Sequence, residues 1–524
     1  MTELYDTTLR DGAQMVGLSF SVEDKLKVLH ALDGLGVPFV EGGWPGSNPK
    51  DTEFFRVARS EPLRRATLTA FGSCRRPGER AQDSSVLRDL LAAETEVVTL
   101  VGKAWDVHVT ETLRAAPDEG LRMIEDSIRF LAARDRRVFF DAEHFFDGHR
   151  SNPAFAIDCL RAAEEAGAER VVLCDTNGGT LPSQIGTVVR ECAAAVNAPL
   201  GVHSHDDAGC AVAGSIAAVE AGVVQVQGTV NGYGERCGNA NLVTIAANLE
   251  LKLGQLVLPA GSLSRLTEVS RFVAEVANLP PDPHQPYVGR AGFAHKAGLH
   301  ASGLARRPGA YEHVPPAAVG NEAHTVVSEL GGRASLLRKA GELGLDLPAG
   351  SAEEALARVK DREGRGYTYE AADASLELLL RNGDDSVPRF FALESFRVVM
   401  DKREGEETAA EATVKVRADG RREIVTAEGR GPVGALDNAI RLALGGVYPE
   451  LAEISLTDYR VRVLNPGEGT QAAVRVLIES SDGEKEWSTV GVSDNIIEAS
   501  WEALAESLVY GLLHPRARAE EAAG

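Results

Sequence analysis

Short apolar runs rich in Val, Leu and Phe recur through the first half of the chain, each followed by a stretch of helix-like composition. The runs are TELYDTTL, VPFVEGGWP, TLTAFGSC, EVVTLVGK, RVFFDAEH, RVVLCDTNG, PLGVHSHDD and VVQVQGTVNG. Strands alternating with amphipathic helices build a parallel sheet, and eight such units within about 245 residues match an α/β chain folded as a (β/α)8 TIM barrel. SVEDKLKVLHALDGLG is the clearest helix, with Ser21 placed to cap it and Gly36 to stop it.

Past residue 265 the pattern turns to helices and Pro-rich connections such as LPPDPHQPYVG, which predicts a mostly helical linker subdomain over 266–385. From 386 to 524 alternating strands dominate, in two sets of three, each set followed by a helix. The likeness of TAEGRGPVGALDNAI to STVGVSDNIIEASWEA suggests a duplication, so a C-terminal α+β domain of two βββα units is expected. A duplicated module without catalytic side chains suits ligand sensing or assembly.

The ends of the eight apolar runs carry the informative polar residues, because barrel enzymes place their chemistry at the C-terminal ends of the strands. The first ends in Asp6, Arg10, Asp11 and Gln14, the second in Glu41, the fifth in Asp141 and Glu143, and the sixth in Asp175, Thr176 and Asn177. His203, His205, Asp206 and Asp207 end the seventh, and Asn231, Glu235, Arg236 and Asn239 follow the eighth. One rim is expected to collect them all.

Among these, His203 and His205 stand out. In an extended strand, residues i and i+2 point to the same face, so the two imidazoles project together while Ser204 turns away. Two histidines with one carboxylate make a divalent metal site that leaves positions open for substrate, and Asp11 arrives from the adjacent first strand of a closed barrel. Mixed nitrogen and oxygen donors accept Mn2+, Mg2+, Co2+ or Zn2+. The segment DTTLRDG could by composition be no more than a capped turn, but Arg10 beside a ligand aspartate is placed to stabilise a developing oxyanion. Glu143 at a strand end permits general-base work, and its ordinary alternative is a solvated loop carboxylate. The glycines of EGGWPGSNP and NGYGERCGN read as turns as readily as a phosphate cradle. Cys237 lies in a polar loop, with no activating base identified beside it.

Charge and composition narrow the partners. The chain has 524 residues, with 77 acidic against 55 basic side chains and a formal net charge of -22. No basic run offsets this, so nucleic acid is excluded as a partner. No uncharged apolar stretch reaches the roughly 18 residues that a membrane helix requires. Residues 1–20 lack the basic and apolar regions of a secretion signal, and the six cysteines show no CxxC spacing, which together predict a cytoplasmic protein without membrane contact.

DTTLRDGAQ, HSHDDAG and GERCGNANL, then AGLHASG with the following Tyr311, and finally residues 386–515 together resemble the acyl-CoA Claisen synthases of the 2-isopropylmalate, homocitrate and citramalate synthase family. The likeness covers nearly the whole chain. YDTTLRDGAQMVGLSFSVEDKLKV and EGGWPGSNPKDTEFF resemble the branch that condenses acetyl-CoA with pyruvate to (R)-citramalate on a route to isoleucine. The resemblance implies Asp11, His203, His205 and Asn239 around the metal, and Arg10, Gln14, Asp141 and Thr176 on the substrate. It implies Glu143 and His300 as the proton-abstracting pair, with Tyr311 near the thioester and the helical subdomain contributing to the active site. It further implies a homodimer and an amino-acid effector, isoleucine, at the C-terminal domain. The same chemistry on 2-oxoisovalerate or 2-oxoglutarate is the nearest alternative. HMG-CoA lyases, which use a cysteine in a loop comparable to GERCGN but lack such a C-terminal domain, are another, and a non-catalytic amino-acid sensor is a third.

Overall fold

Eight strands pair in parallel in sequence order: β1 (Glu3–Asp6), β2 (Phe39–Gly43), β3 (Thr67–Ser73), β4 (Val97–Lys103), β5 (Arg137–Glu143), β6 (Arg170–Asp175), β7 (Leu200–Ser204) and β8 (Gln225–Gly228). β8 returns to β1, with Leu4 opposite Val226 and Asp6 opposite Gly228, so the expected barrel is closed. The computed structural model describes residues 2–295, 307, 309, 311–325, 332–348, 351–381, 387–402, 408–464 and 472–515.

Alternate strand residues point inward, and the interior is filled in layers. Tyr5, Phe39, Val97 and Phe139 form an apolar plug, with the Phe39 and Phe139 rings edge to face at 5.2 Å. Toward the C-terminal ends of the strands the filling turns polar. The Tyr5 hydroxyl donates to Glu41 Oε2 at 2.7 Å and meets the hydroxyls of Thr69 and Thr99 at 2.9 and 2.6 Å. The plug excludes water from below, and the polar layer begins the site above it.

Outside the ring, the helix Val22–Leu35 forms as its sequence predicts. Ser21 and Asp24 cap each other's backbone, and Gly36 ends the helix at φ 95°. A Cβ on Gly36 would lie 2.4 Å from Pro259 Cδ, so the stop is also a close approach that glycine alone allows.

The chain forms two compact units, the first made of Met1–Phe293 with Glu312–Ala323 and the second of Ala294–Tyr311 with His324–Gly524. The first unit continues past residue 265: the helix Leu266–Val276 buries Leu266, Val269 and Val273 in the barrel's outer core, and Arg265 donates to the Gly34 carbonyl at 2.8 Å.

In the second unit, the helices Arg333–Glu342, Ser351–Gly364 and Asp373–Arg381 precede two antiparallel sheets. The strands Phe391–Asp401, Ala409–Ala418 and Arg421–Gly429 lead into the helix Pro432–Gly445; Ser455–Val463, Val474–Ser481 and Glu486–Ser493 lead into Ile496–Leu513. This is the βββα duplication expected from the sequence. Ala412, Val414 and Val416 bury one face of the first sheet against Leu436 and Ile440, while Leu393, Val399, Met400 and Ile424 stay exposed. A polar cluster sits between helices of this unit. The Tyr367 hydroxyl donates to both oxygens of Glu502 at 2.8 Å, the Ser375 hydroxyl donates to Glu506, and Arg362 lies 3.7 Å from Glu506. Among the described residues no helix is long and apolar enough to cross a membrane.

Candidate active site

Part of the polar set predicted at the strand ends meets in one cavity, while Asn239 is not in its lining. Arg10, Asp11, Gln14, Asp141, Glu143, Thr176, His203 and His205 line a single cavity of about 260 Å³, together with Trp44, Phe71 and Val101. Ligand pockets commonly run from about 300 to 1,000 Å³, so this one suits a small acceptor and the reacting end of a second substrate. Tyr311 belongs to the second unit, where it is 46% exposed. His300 lies outside the described residues.

Asp11, His203 and His205 converge as strand alternation predicts. His203 Nε2 lies 3.3 Å from Asp11 Oδ2 and 3.3 Å from His205 Nε2, and His205 Nε2 lies 3.4 Å from Asp11 Oδ2. Ligands bound about 2.0–2.3 Å from one divalent ion sit roughly 3.0–3.5 Å apart in octahedral or tetrahedral geometry. The three atoms therefore stand at the spacing of one coordination sphere.

The tautomers agree. His203 Nδ1 lies 2.9 Å from Gln227 Oε1, whose amide is oriented because its Nε2 donates to Asp141 Oδ1 at 3.0 Å. His205 Nδ1 lies 2.8 Å from the Thr176 carbonyl, an atom that can only accept. With an acceptor at each Nδ1, both rings turn Nε2 toward Asp11 as the nitrogen free to bind a metal. Arg236 Nη2 also approaches His205 Nδ1 at 2.8 Å, but its hydrogens go to the Thr176 carbonyl and to Asp207.

Asn239 stands outside this cluster of three. It pairs with His205 in an isolated bridge, donates its Nδ2 to the Tyr233 carbonyl at 3.1 Å, and keeps a buried Oδ1 with no partner. A buried amide oxygen without a partner, on the residue bridged to His205, has the chemistry of a cation ligand. The glycines of NGYGERCGN serve this approach rather than a phosphate. A Cβ on Gly234 would lie 2.2 Å from Asn239 Nδ2, and one on Gly238 would lie 2.0 Å from the Gly232 carbonyl.

DTTLRDG is both the capped turn and the ligand carrier. Asp6 accepts from the Thr8 backbone and hydroxyl, and the Thr8 hydroxyl in turn accepts from Val230 N–H, pinning the loop across the β1–β8 seam. Arg10 donates Nε to Glu41 Oε1 at 2.5 Å, stacks 3.8 Å above the Phe71 ring, and holds Nη1 3.4 Å from Asp11. Burial pushes the Asp11 carboxyl up, but Arg10 and the two histidines outweigh it and hold it well below the ordinary range. Burial and the nearby Glu41 raise Asp141 to about 8, and burial raises Asp6 to about 7.

Thr176 ties two parts of the site together. Its hydroxyl accepts from His144 N–H at 2.8 Å, which leaves the hydroxyl proton for another acceptor, and its carbonyl orients His205. Glu143 pairs with Lys103, Nζ to Oε2, at 2.5 Å. Cys237 is exposed.

Lys103, Gln227 and Phe71 escape the sequence reading. Gln227 had a signal, since Gln225 and Gln227 repeat at strand period inside the apolar run VVQVQGTV and so had to face the barrel interior.

Residues 1–273 match the HMGL-like family, residues 287–366 the homocitrate synthase post-HMGL domain-like family, and residues 370–512 the LeuA allosteric (dimerisation) domain. The (R)-citramalate synthase of Streptomyces coelicolor is 53% identical over 515 residues, covering 97% of this chain and 96% of the relative. Those of Geobacter sulfurreducens and Aquifex aeolicus are 49% and 48% identical, covering 98% and 97% of this chain and the same shares of the relatives. With barrel, connecting segment and allosteric module matched in that order, and with full-length relatives of one name, the chain belongs to the (R)-citramalate synthase family.

Proposed function

We propose that this chain condenses acetyl-CoA with pyruvate and hydrolyses the resulting thioester, releasing (R)-citramalate and CoA. The observation that carries this reading is the convergence of Asp11, His203 and His205 on one cavity that also holds Arg10 and Glu143. Asp11, His203 and His205, with Asn239 as a fourth donor, would hold a divalent cation, which would supply Lewis acidity to the acceptor.

The chain's own residues account for the rest. Glu143 takes a proton from the acetyl methyl group, with His300 as its helper. Thr176 offers its hydroxyl proton to the acceptor's carboxylate, and Gln14 and Asp141 border the same space. Arg10, fixed by Glu41 and by the Phe71 ring, offers guanidinium hydrogens to the alkoxide that develops at the keto oxygen. Because Arg10 is already desolvated and anchored, little reorganisation is needed as that charge appears. Tyr311 is assigned to the thioester end. Hydrolysis of the thioester makes the sequence effectively irreversible.

Two copies of the chain form the working enzyme in this reading, and the duplicated C-terminal module takes isoleucine as its effector. The test measures initial rates of CoA release from acetyl-CoA with pyruvate, 2-oxobutyrate, 2-oxoisovalerate and 2-oxoglutarate, each with Mn2+ and with EDTA. Metal-dependent preference for pyruvate, inhibited by isoleucine, supports the proposal. Preference for 2-oxoisovalerate keeps the chemistry and overturns the substrate.

A further inference from the structure

The residue most closely engaged with the proposed base has no role in the reading above. Lys103 ends β4 and is the register partner of Glu143 at the end of β5. In a parallel ladder such partners stand side by side on the same face, so their side chains meet without any loop having to deliver them. Lys103 Nζ engages Glu143 Oε2, and both side chains are about a quarter exposed, at 26% and 24%.

The backbone around the pair is fixed on both sides. The Ala104 N–H donates to the Glu143 carbonyl at 3.1 Å, carrying the ladder one residue beyond Lys103. His144 is held in the left-handed region at φ 55° while its N–H donates to the Thr176 hydroxyl. A non-glycine residue in that conformation is uncommon, and here it turns the chain sharply just after Glu143. Glu143 lines the cavity, whereas Lys103 is outside its lining. Partly exposed Lys–Glu pairs contribute little to stability, which leaves the placement of the carboxylate as the use of this contact.

We propose that Lys103 is the positioning residue for Glu143, holding its carboxylate in place for proton abstraction. The assignment rests on the functional reading given above. The other charged groups near the pair are His108 from the turn after β4, and His144 and Asp147 from the segment after β5. Arg10, Asp141, Glu235, Arg236 and the Asp11–His203–His205 triad border the same cavity. Lys103 differs from all of these in making direct contact with the Glu143 carboxylate.

The test compares Lys103→Met, Lys103→Gln and Lys103→Arg with the parent chain, reading kcat and both KM values against pH at saturating Mn2+. Lys103→Met is expected to lower kcat by roughly 10- to 100-fold, less than the roughly 100- to 10,000-fold of a general base itself, while both KM values stay within about twofold. Lys103→Arg should restore most of the lost kcat. Unchanged kcat, or a loss confined to the KM of either substrate, would overturn the assignment. So would a parallel fall of melting temperature and kcat in Lys103→Met and Lys103→Gln, which would make the pair structural. A parent chain that releases no CoA overturns the functional reading itself, and this assignment with it.

Discussion

Each unit of the molecule buries a cluster of acidic groups, and the two clusters are built differently. In the barrel, Asp141 is raised to about 8 by burial and by Glu41, and it is tied through Gln227 to His203, whose other nitrogen faces the cavity. In the second unit, Glu506 is raised to about 7 by burial, and its neighbours Ser375, Glu502 and Arg362 all come from helices. Desolvation lifts both carboxyls alike. What separates them is that one cluster leads through Gln227 to imidazoles that line a cavity, whereas the other links helices to one another. A perturbed carboxyl therefore marks a site only when its hydrogen-bond chain leads somewhere.

The contrast can be broken most severely at its open end. Asp11→Ala or His203→Ala should cost about 4 kcal/mol of transition-state stabilisation, or roughly a thousandfold in turnover, with the melting temperature nearly unchanged. Rates of CoA release alongside thermal melting check this, and a large fall in melting instead would make the triad structural. One step back, Gln227→Leu removes the acceptor for His203 Nδ1 and should weaken Mn2+ binding by about 10- to 100-fold, as measured by calorimetry.

The sealed cluster should answer to pH rather than to substrate. The folded Glu506 carboxyl binds its proton more tightly than the unfolded chain does. Its unfavourable contribution is thus absent below the unfolded value of 4.5, grows as pH rises, and is complete above about 7. Since 22% of the side chain stays exposed, we expect about 1–2 kcal/mol across that window. Glu506→Gln should flatten the melting curve of the second unit between those limits and leave turnover alone. Smallest of all, Cys237→Ala should change the rate by less than about twofold, because an exposed thiol with no activating base is catalytically inert. Near-complete loss in that variant would instead point to lyase chemistry.

Much of the site was legible because it depends on rules that hold locally. Strand alternation alone puts His203 and His205 on one face, and ring closure brings Asp11 to them. Ser21, Asp24 and Gly36 delimit their helix by side-chain chemistry written in consecutive residues. Lys103 was illegible for a different reason: it is a single cation at the end of EVVTLVGK, and its partner is set by the register between two strands some forty residues apart. The rim shows the same limit. The π-helical turn His108–Thr112 and the short helix Phe145–Ser151, which starts from a left-handed His144, arise from packing around the cavity and leave no periodic mark.

The pairing of β1 with β8 also governs when the site comes into being. Asp11 and His205 are 194 residues apart in sequence, and Asn239 lies beyond β8, so the donor set spans almost the entire length of the ring. Contacts of such long sequence separation are slow to form, because loop-closure entropy opposes them. A chain emerging during synthesis carries the DTTLRDG segment from the outset, yet it has no coordination sphere until the last strand docks. A cation that binds only the finished ring favours that final docking by mass action and acts as a latch on the seam. Competence is therefore acquired in one event, at closure, rather than strand by strand.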